Sequence, residues 1–465
     1  MHYPWWYVPG ITAPMLIAVV AIAHVIVSHY AVGGGILLAM ENQYALRKGN
    51  QKYRSYWKRH ARFFILLTVV FGAITGVGIW WTIGLASPLA TEMLIRTFVF
   101  GWAIEWVFFI VEIVAAFVFF YYWDRLPAKE HVIVGWIYAV AAWISLVLIT
   151  GITAFMLNSR GLFVDWAGTE NGNFWHAFFN VQFIPQTIAR TGASLMLGSL
   201  YVYLHAAWTL QNDEELKALA TRRMAAPALF GVILLGVGIV GWFVNLPANS
   251  KLIMEMAPMI LILGLVFAGS IAALFVLIFT GSLLWPRSMS VGFAVCLLLF
   301  GFAAFASAEF IREGLRKPYI VDRVILGPQI AVKEVGLCQK YGFLEHGHWT
   351  GKALREMYPE LWLHDAEDHI DETLLLQRPE EERIKVGEML FMHHCNNCHT
   401  SLVGHSALAP LFAGETKERI VDFVKHLNQP IIMMPPWCGN DAEAELLADY
   451  LHSIRREIPS REISR

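Results

Sequence analysis

The chain has 465 residues, of which 57% are hydrophobic and 15% charged, with a formal net charge of −2. So apolar a chain cannot cover its surface with polar groups in water, which excludes a soluble globular protein and implies a bilayer. The small net charge says little about partners, because in a membrane protein the location of charges matters more; no nucleic-acid partner is expected.

The first apolar run, from Ile11 to Ala39, is too long for a secretory h-region and has no Lys or Arg before it. It reads as a first span that stays in the protein. Runs of bilayer length recur, giving eight expected spans near 11–39, 63–86, 95–122, 131–157, 181–209, 225–246, 257–284 and 289–311. The joint after the first holds Arg47, Lys48, Lys52, Arg54, Lys58, Arg59 and Arg62. Arg125 and Lys129, then Lys217, Arg222 and Arg223, then Arg287 follow spans three, five and seven, whereas the alternate joints hold little beyond Arg160 and Lys251. Cytoplasmic loops carry the excess of Lys and Arg, so the N-terminus is expected outside and an even span count returns the C-terminus outside.

Ionisable residues within spans are costly and are functional candidates by default. They are His24 and His29 in span one, Glu105 and Glu112 in span three, Arg190 and His205 in span five, and Glu309 and Glu313 at the end of span eight. A buried iron can take an imidazole or a carboxylate, so haem is one use for them. A hydrogen-bonded contact between helices is the alternative for any one of them.

After Arg312 the composition becomes mixed, with Glu-Glu-Glu-Arg at 380–383, an acidic stretch at 441–445 and a basic tail. The expected organisation is a membrane domain over 1–312, a connecting segment over 313–377 and a small domain over 378–465. That last part holds Cys395-Asn396-Asn397-Cys398-His399. In such a motif the two thiols form thioethers to haem vinyls and the His ligates the iron. A bare Cys-x-x-Cys could also serve zinc or redox chemistry.

The surroundings of the motif resemble class I cytochromes c over roughly residues 378–457. Gly387 and Phe391 stand on one helix face leading into it, Ala409-Pro410-Leu411-Phe412-Ala413-Gly414 resembles the proline loop, and Met434-Pro435-Pro436-Trp437 resembles the methionine loop. An amphipathic helix over 441–454 carries Leu446, Leu447, Tyr450, Leu451 and Ile454 on one face. The resemblance implies one covalent haem c on Cys395 and Cys398, with His399 and Met434 as axial ligands and a backbone carbonyl of the proline loop steadying the His. Met433 is the alternative second ligand, and His393 and His394 read as surface residues. A His/Met pair suits a low-spin haem that passes single electrons. Cys338 and Cys438 form either a disulfide clamping the methionine loop or two free buried thiols.

The membrane part is similar to subunit I of the cytochrome bd oxidases over about residues 11–320. His24, Gly33 and Met40-Glu41 resemble the segment around the axial His of a high-spin haem. Glu105 and Glu112, then Trp123-Asp124-Arg125-Leu126 and His131, resemble the family's acidic pair and following joint. Glu313-Gly314-Leu315-Arg316-Lys317-Pro318-Tyr319 resembles the segment whose carboxylate ligates the other high-spin haem. The resemblance implies an all-α polytopic bundle of about eight spans in a bacterial inner membrane, followed by a periplasmic class I cytochrome c fold. It further implies two high-spin haems, of b and/or d type, ligated by His24 and Glu313, with Glu105 at the haem face and Glu112 on a proton path.

This chain departs from that family in three places. The joint from Asn245 to Met256 is too short for the external quinol loop, no His occupies Phe183-Ile184-Pro185-Gln186 where the low-spin haem b ligand belongs, and the cytochrome replaces the ninth span. A low-spin haem b is therefore not expected. The function expected is electron exchange between a periplasmic haem c and membrane haems, with dioxygen reduced at the expense of cytochrome c in place of quinol. The alternatives are an electron-transfer and anchoring subunit of a larger respiratory complex, or a bare anchor, against which the two carboxylates of span three argue. Expected partners are lipids, a periplasmic electron donor or acceptor, and other membrane or cytochrome subunits, including a helical protein like subunit II.

Overall fold

The computed structural model describes residues 4–162, 173–362, 370 and 372–455; the basic tail lies outside the described residues. Among the described residues, eight helices of span length follow one another: α1 (Ala13–Arg47), α2 (Gln51–Ala86), α3 (Val99–Tyr121), α4 (Ala128–Phe155), α5 (Phe183–Thr209), α6 (Glu214–Val244), α7 (Pro258–Leu284) and α8 (Val291–Arg316). Seven of them are long and apolar enough to cross a membrane, which makes this a multi-pass membrane protein. The exception is α5, which carries Gln186, Arg190 and several hydroxyl side chains. Fifteen of its 27 residues are buried, so protein and not lipid surrounds its polar groups.

The second helix begins at Gln51, well before the expected position 63. Residues 51–62 are basic on one side only. Tyr53, Tyr56, Trp57, His60, Ala61 and Phe64 recur at helical spacing and are buried, so a stretch that reads by hydropathy as a joint is an amphipathic first third of a long helix. A stretch of wider, π-type turns at Leu66–Phe71 joins it to the apolar remainder.

Tertiary contacts divide the chain into two units: 20–79 with 94–315, and 1–19 with 80–93 and 316–465. In the first unit, small residues let helices touch backbone to backbone. A Cβ on Gly192 of α5 would lie 2.5 Å from the Gly231 carbonyl oxygen of α6, and one on Gly33 of α1 only 1.7 Å from that of Ser194. Such close approach is how helices associate in lipid, where apolar burial alone offers little drive.

The second unit contains a short antiparallel hairpin (Tyr319–Val321 with Ile325–Leu326), several short helices, and three that build the small domain: α9 (Glu380–His394), α10 (Lys417–Lys425) and α11 (Asp441–Ile454). The first and last of these cross at Gly387, where a Cβ would sit 2.1 Å from the Leu446 carbonyl oxygen. Beside the crossing, the Phe391 and Tyr450 rings lie 5.4 Å apart. Helix α11 starts in a capping box of Asn440 and Glu443, and the Glu443 carboxylate also accepts the Phe343 amide at 2.7 Å. Buried Asp449 takes Arg383 at 2.9 Å and Lys417 at 2.7 Å, linking all three helices.

Residues before α1 belong to this unit because they bind the motif region. The Trp5 indole donates to His393 Nδ1 at 2.9 Å, the Tyr7 hydroxyl pairs with Ser401 Oγ at 3.1 Å, and the Gly10 carbonyl accepts the His405 amide at 2.8 Å. This corrects the reading of His393 and His394 as surface residues: they are 0% and 5% exposed. His393 is enclosed by Trp5, Phe343 and Trp349, and His394 packs on Trp437, all of them remote in sequence. Cys338 and Cys438 lie in the same buried cluster as free thiols. Burial pushes the Cys338 thiol up to about 11 and raises Cys438 as well.

Candidate functional site

The Cys-x-x-Cys-His motif begins at the C-terminus of α9. The Cys395 carbonyl accepts the amides of Cys398 and His399, both at 3.0 Å, so the motif is wound into a single tight turn. Both thiols are free. His399 Nδ1 lies 2.8 Å from the Ser406 carbonyl oxygen and donates to it. That bond fixes the ring and leaves Nε2 as the nitrogen available to a metal. The acceptor is therefore three residues before Ala409, and not within the Ala409–Gly414 stretch expected to supply it. Burial holds the His399 imidazole below its ordinary value, in the neutral form that ligates iron.

Cys395, Cys398, His399, Met433 and Met434 are all half-buried, among neighbours such as Phe391, Trp437 and Leu408 that are nearly inaccessible. A motif with its ring nitrogen reserved and its thiols unpaired fits a covalent haem.

In the membrane unit the expected residues fall into separate groups. His24 Nδ1 meets the Thr75 hydroxyl of α2 at 3.1 Å, again leaving Nε2 free to ligate. Gly76 sits where a Cβ would come 3.1 Å from the His24 ring, so α2 passes close to that imidazole. Glu105 accepts the Ser145 hydroxyl of α4 at 3.1 Å, and Glu112 stands two turns further along the same face of α3. Glu309 forms an ion pair with Arg312 at 2.9 Å, and the charges of Arg190 and Glu309 reach His29, whose Nδ1 bonds the Val25 carbonyl at 2.8 Å. Glu313 stands half-buried next to Arg312 near the end of α8.

The Trp123-Asp124 joint is a structural latch. Arg54 donates to the Trp123 carbonyl at 2.6 Å, Lys58 pairs with Asp124, and His131 stacks on Phe119 at 4.3 Å while meeting Asn42 at 3.1 Å. Glu41 has a structural partner too: Arg223 reaches its carboxylate at 2.7 Å, and Tyr53 donates to it at 2.7 Å. Sequence reasoning missed His60 and Tyr30, which meet at 3.1 Å inside the bundle. The signal was the helical spacing of apolar residues over 53–64, hidden under the charges of the same stretch.

These features define a membrane-embedded haem protein with an attached c-type cytochrome domain. The family model for cytochrome bd terminal oxidase subunit I matches residues 13–245, half of the chain, and the chain belongs to that family. The model for cytochrome c oxidase, cbb3-type, subunit III matches residues 382–451. No curated protein sequence matches the chain. Among solved structures, the bd oxidase from Geobacillus thermodenitrificans shares the fold with a TM-score of 0.56 at 18% identity, covering 67% of this chain and 89% of that one.

Proposed function

We propose that this chain is the haem-carrying subunit of a respiratory oxygen reductase that takes its electrons through a periplasmic haem c and not from quinol. One observation carries the reading. Between α6 and α7 there is only the nine-residue helix Ala248–Met256, with no room for an external quinol-oxidising loop, while the same chain bears a c-type cytochrome domain. A subunit without a quinol site but with its own cytochrome has another port for electrons.

Haem supplies the redox chemistry when bound: single-electron transfer at the c-type centre and dioxygen reduction to water at high-spin centres. The residues do the rest. Cys395 and Cys398 would hold haem c covalently and His399 and Met434 would ligate its iron, the imidazole kept neutral by burial and oriented by the Ser406 carbonyl. His24 and Glu313 would ligate the membrane haems, His24 held in register by Thr75. Glu105, linked to Ser145, faces the reacting site, and Glu112 on the same face of α3 passes protons towards it.

The proposed setting is the bacterial inner membrane, with the N-terminus and cytochrome domain periplasmic. Lipids, a helical subunit like subunit II and a periplasmic donor are the proposed partners.

The purified protein should consume oxygen with reduced cytochrome c, and Glu105→Ala should abolish turnover without removing haem c. Haem analysis should find b- or d-type haem in addition to haem c. Membrane haems without oxygen uptake would instead favour an electron-transfer and anchoring subunit of a larger complex. One haem c alone would reduce the bundle to an anchor.

A further inference from the structure

Towards the Lys/Arg-rich end of the bundle lies a pair of imidazoles that none of these roles uses. His60 belongs to the buried stripe of α2, and His205 to the penultimate turn of α5. Their ring centroids are 4.8 Å apart with the planes at 68°. His60 Nε2 meets the Tyr30 hydroxyl of α1 at 3.1 Å, and the Tyr30 ring packs on Tyr201 at 4.2 Å. Phe63 stacks on His205, and Tyr56 flanks both imidazoles. Nδ1 of His60 and Nδ1 of His205 are both buried without a hydrogen-bond partner. Buried polar atoms are nearly always satisfied, so two orphaned nitrogens on touching rings mark a place for a small hydrogen-bonding ligand.

A pocket open to water is lined by residues close to both histidines in the chain. This polar pocket of about 620 Å³ is lined by Lys52, Ser55, Arg59, Trp208, Thr209 and Gln211, among others. Arg59 adjoins His60 in the chain. Trp208 and Thr209 lie one turn beyond His205, whose carbonyl accepts the Thr209 hydroxyl at 2.7 Å. Among the described residues no group of three His, Cys, Asp or Glu is placed to hold a metal ion, so two nitrogens have too few companions for a metal site.

We propose that His60 and His205 form a proton-binding site, in which one proton, taken from solvent by way of this pocket, is held on the unpartnered Nδ1 atoms of the pair while His60 Nε2 stays bonded to the Tyr30 hydroxyl. An imidazole that gains a proton becomes a donor at both nitrogens, and His60 has Nδ1 unpartnered and Nε2 on the Tyr30 hydroxyl. Two imidazolium charges this close repel, so the pair titrates as a unit and holds one proton at a time. The titratable groups facing it are Tyr30 from α1, Tyr56 and Arg59 from α2, and Tyr201 from α5; the Arg59 guanidinium opposes a second proton. The proton's use in dioxygen reduction rests on the function proposed above, whereas its binding does not.

The test follows the histidine ring signals by nuclear magnetic resonance in the full haem-loaded chain, isotope-labelled at histidine and held in lipid nanodiscs. Between about pH 5 and 8, where a histidine changes charge, the His60 and His205 signals should shift together and account for one proton. Rings that both stay neutral, or that titrate independently, overturn the site. With oxygen uptake as the second readout, His60→Gln should slow turnover roughly tenfold or more at alkaline pH, the scale of a lost proton-transfer step, with haem content unchanged. An unaltered rate overturns the use of this proton in turnover. If the wild-type protein consumes no oxygen, the proposed function fails while the titration still decides the proton site.

Discussion

Acid should loosen the cytochrome unit through His394, and the structure sets the size of the effect. The ring is 5% exposed, packed on Trp437, with Nε2 unpartnered. Burial pushes it down from the ordinary 6.5 to about 4, opposed only by a hydrogen bond to the Pro436 carbonyl. A histidine depressed in the folded state stays neutral there while the unfolded chain takes up a proton, so stability is complete above about pH 6.5 and lost as pH falls towards 4. At 1.36 kcal/mol per pH unit, the full loss is about 3 kcal/mol. His394→Phe keeps the ring's bulk and removes its titration, at the cost of one hydrogen bond worth about 1 kcal/mol at neutral pH. The two stability curves should therefore cross near about pH 6, the variant weaker above and stronger below. Denaturant unfolding of the haem-loaded protein, followed by near-ultraviolet circular dichroism at a series of pH values, measures both curves. Parallel curves, or a variant weaker throughout, would refute the argument.

Other expectations follow from single contacts. Gly387→Val should force α9 and α11 apart and cost roughly 1–3 kcal/mol, read as a lower unfolding midpoint of the cytochrome unit. Thr75→Val removes the hydroxyl on His24 Nδ1; losing such an orienting partner should weaken retention of a membrane haem about 10–100-fold, measured by haem content after detergent washing. Met434→Leu should lower the reduction potential of haem c and change its ligand-field spectrum, while Met433→Leu leaves both unaltered; the reverse outcome assigns the ligand to Met433. Cys338 and Cys438 should both react with an alkylating reagent after unfolding without reductant, a result mass mapping can check.

Much of the architecture was legible because membrane physics writes it into composition. A segment that crosses lipid must satisfy its own backbone and present apolar side chains, so long apolar runs announce helices with few alternatives. Covalent chemistry is equally explicit: a haem attached through two thiols needs its Cys-x-x-Cys-His in consecutive residues, and Gly387 already marked the helix crossing that Leu446 completes. What failed were features that depend on who the neighbour is. The start of α2 was hidden because its exposed lysines and arginines outweigh, in any window average, the buried stripe from Tyr53 to Phe64.

Chain order by itself thus determined the helical class, the haem-attachment motif and the short joint before α7. Only the tertiary structure decided that Ser406 orients His399, that Ser145 pairs with Glu105, that Trp5 encloses His393, and that His60 meets His205 from a different helix. The reason is physical. Each of these depends on contact between residues outside any common motif, and whether a histidine lies on a surface or in a core is set by what folds over it.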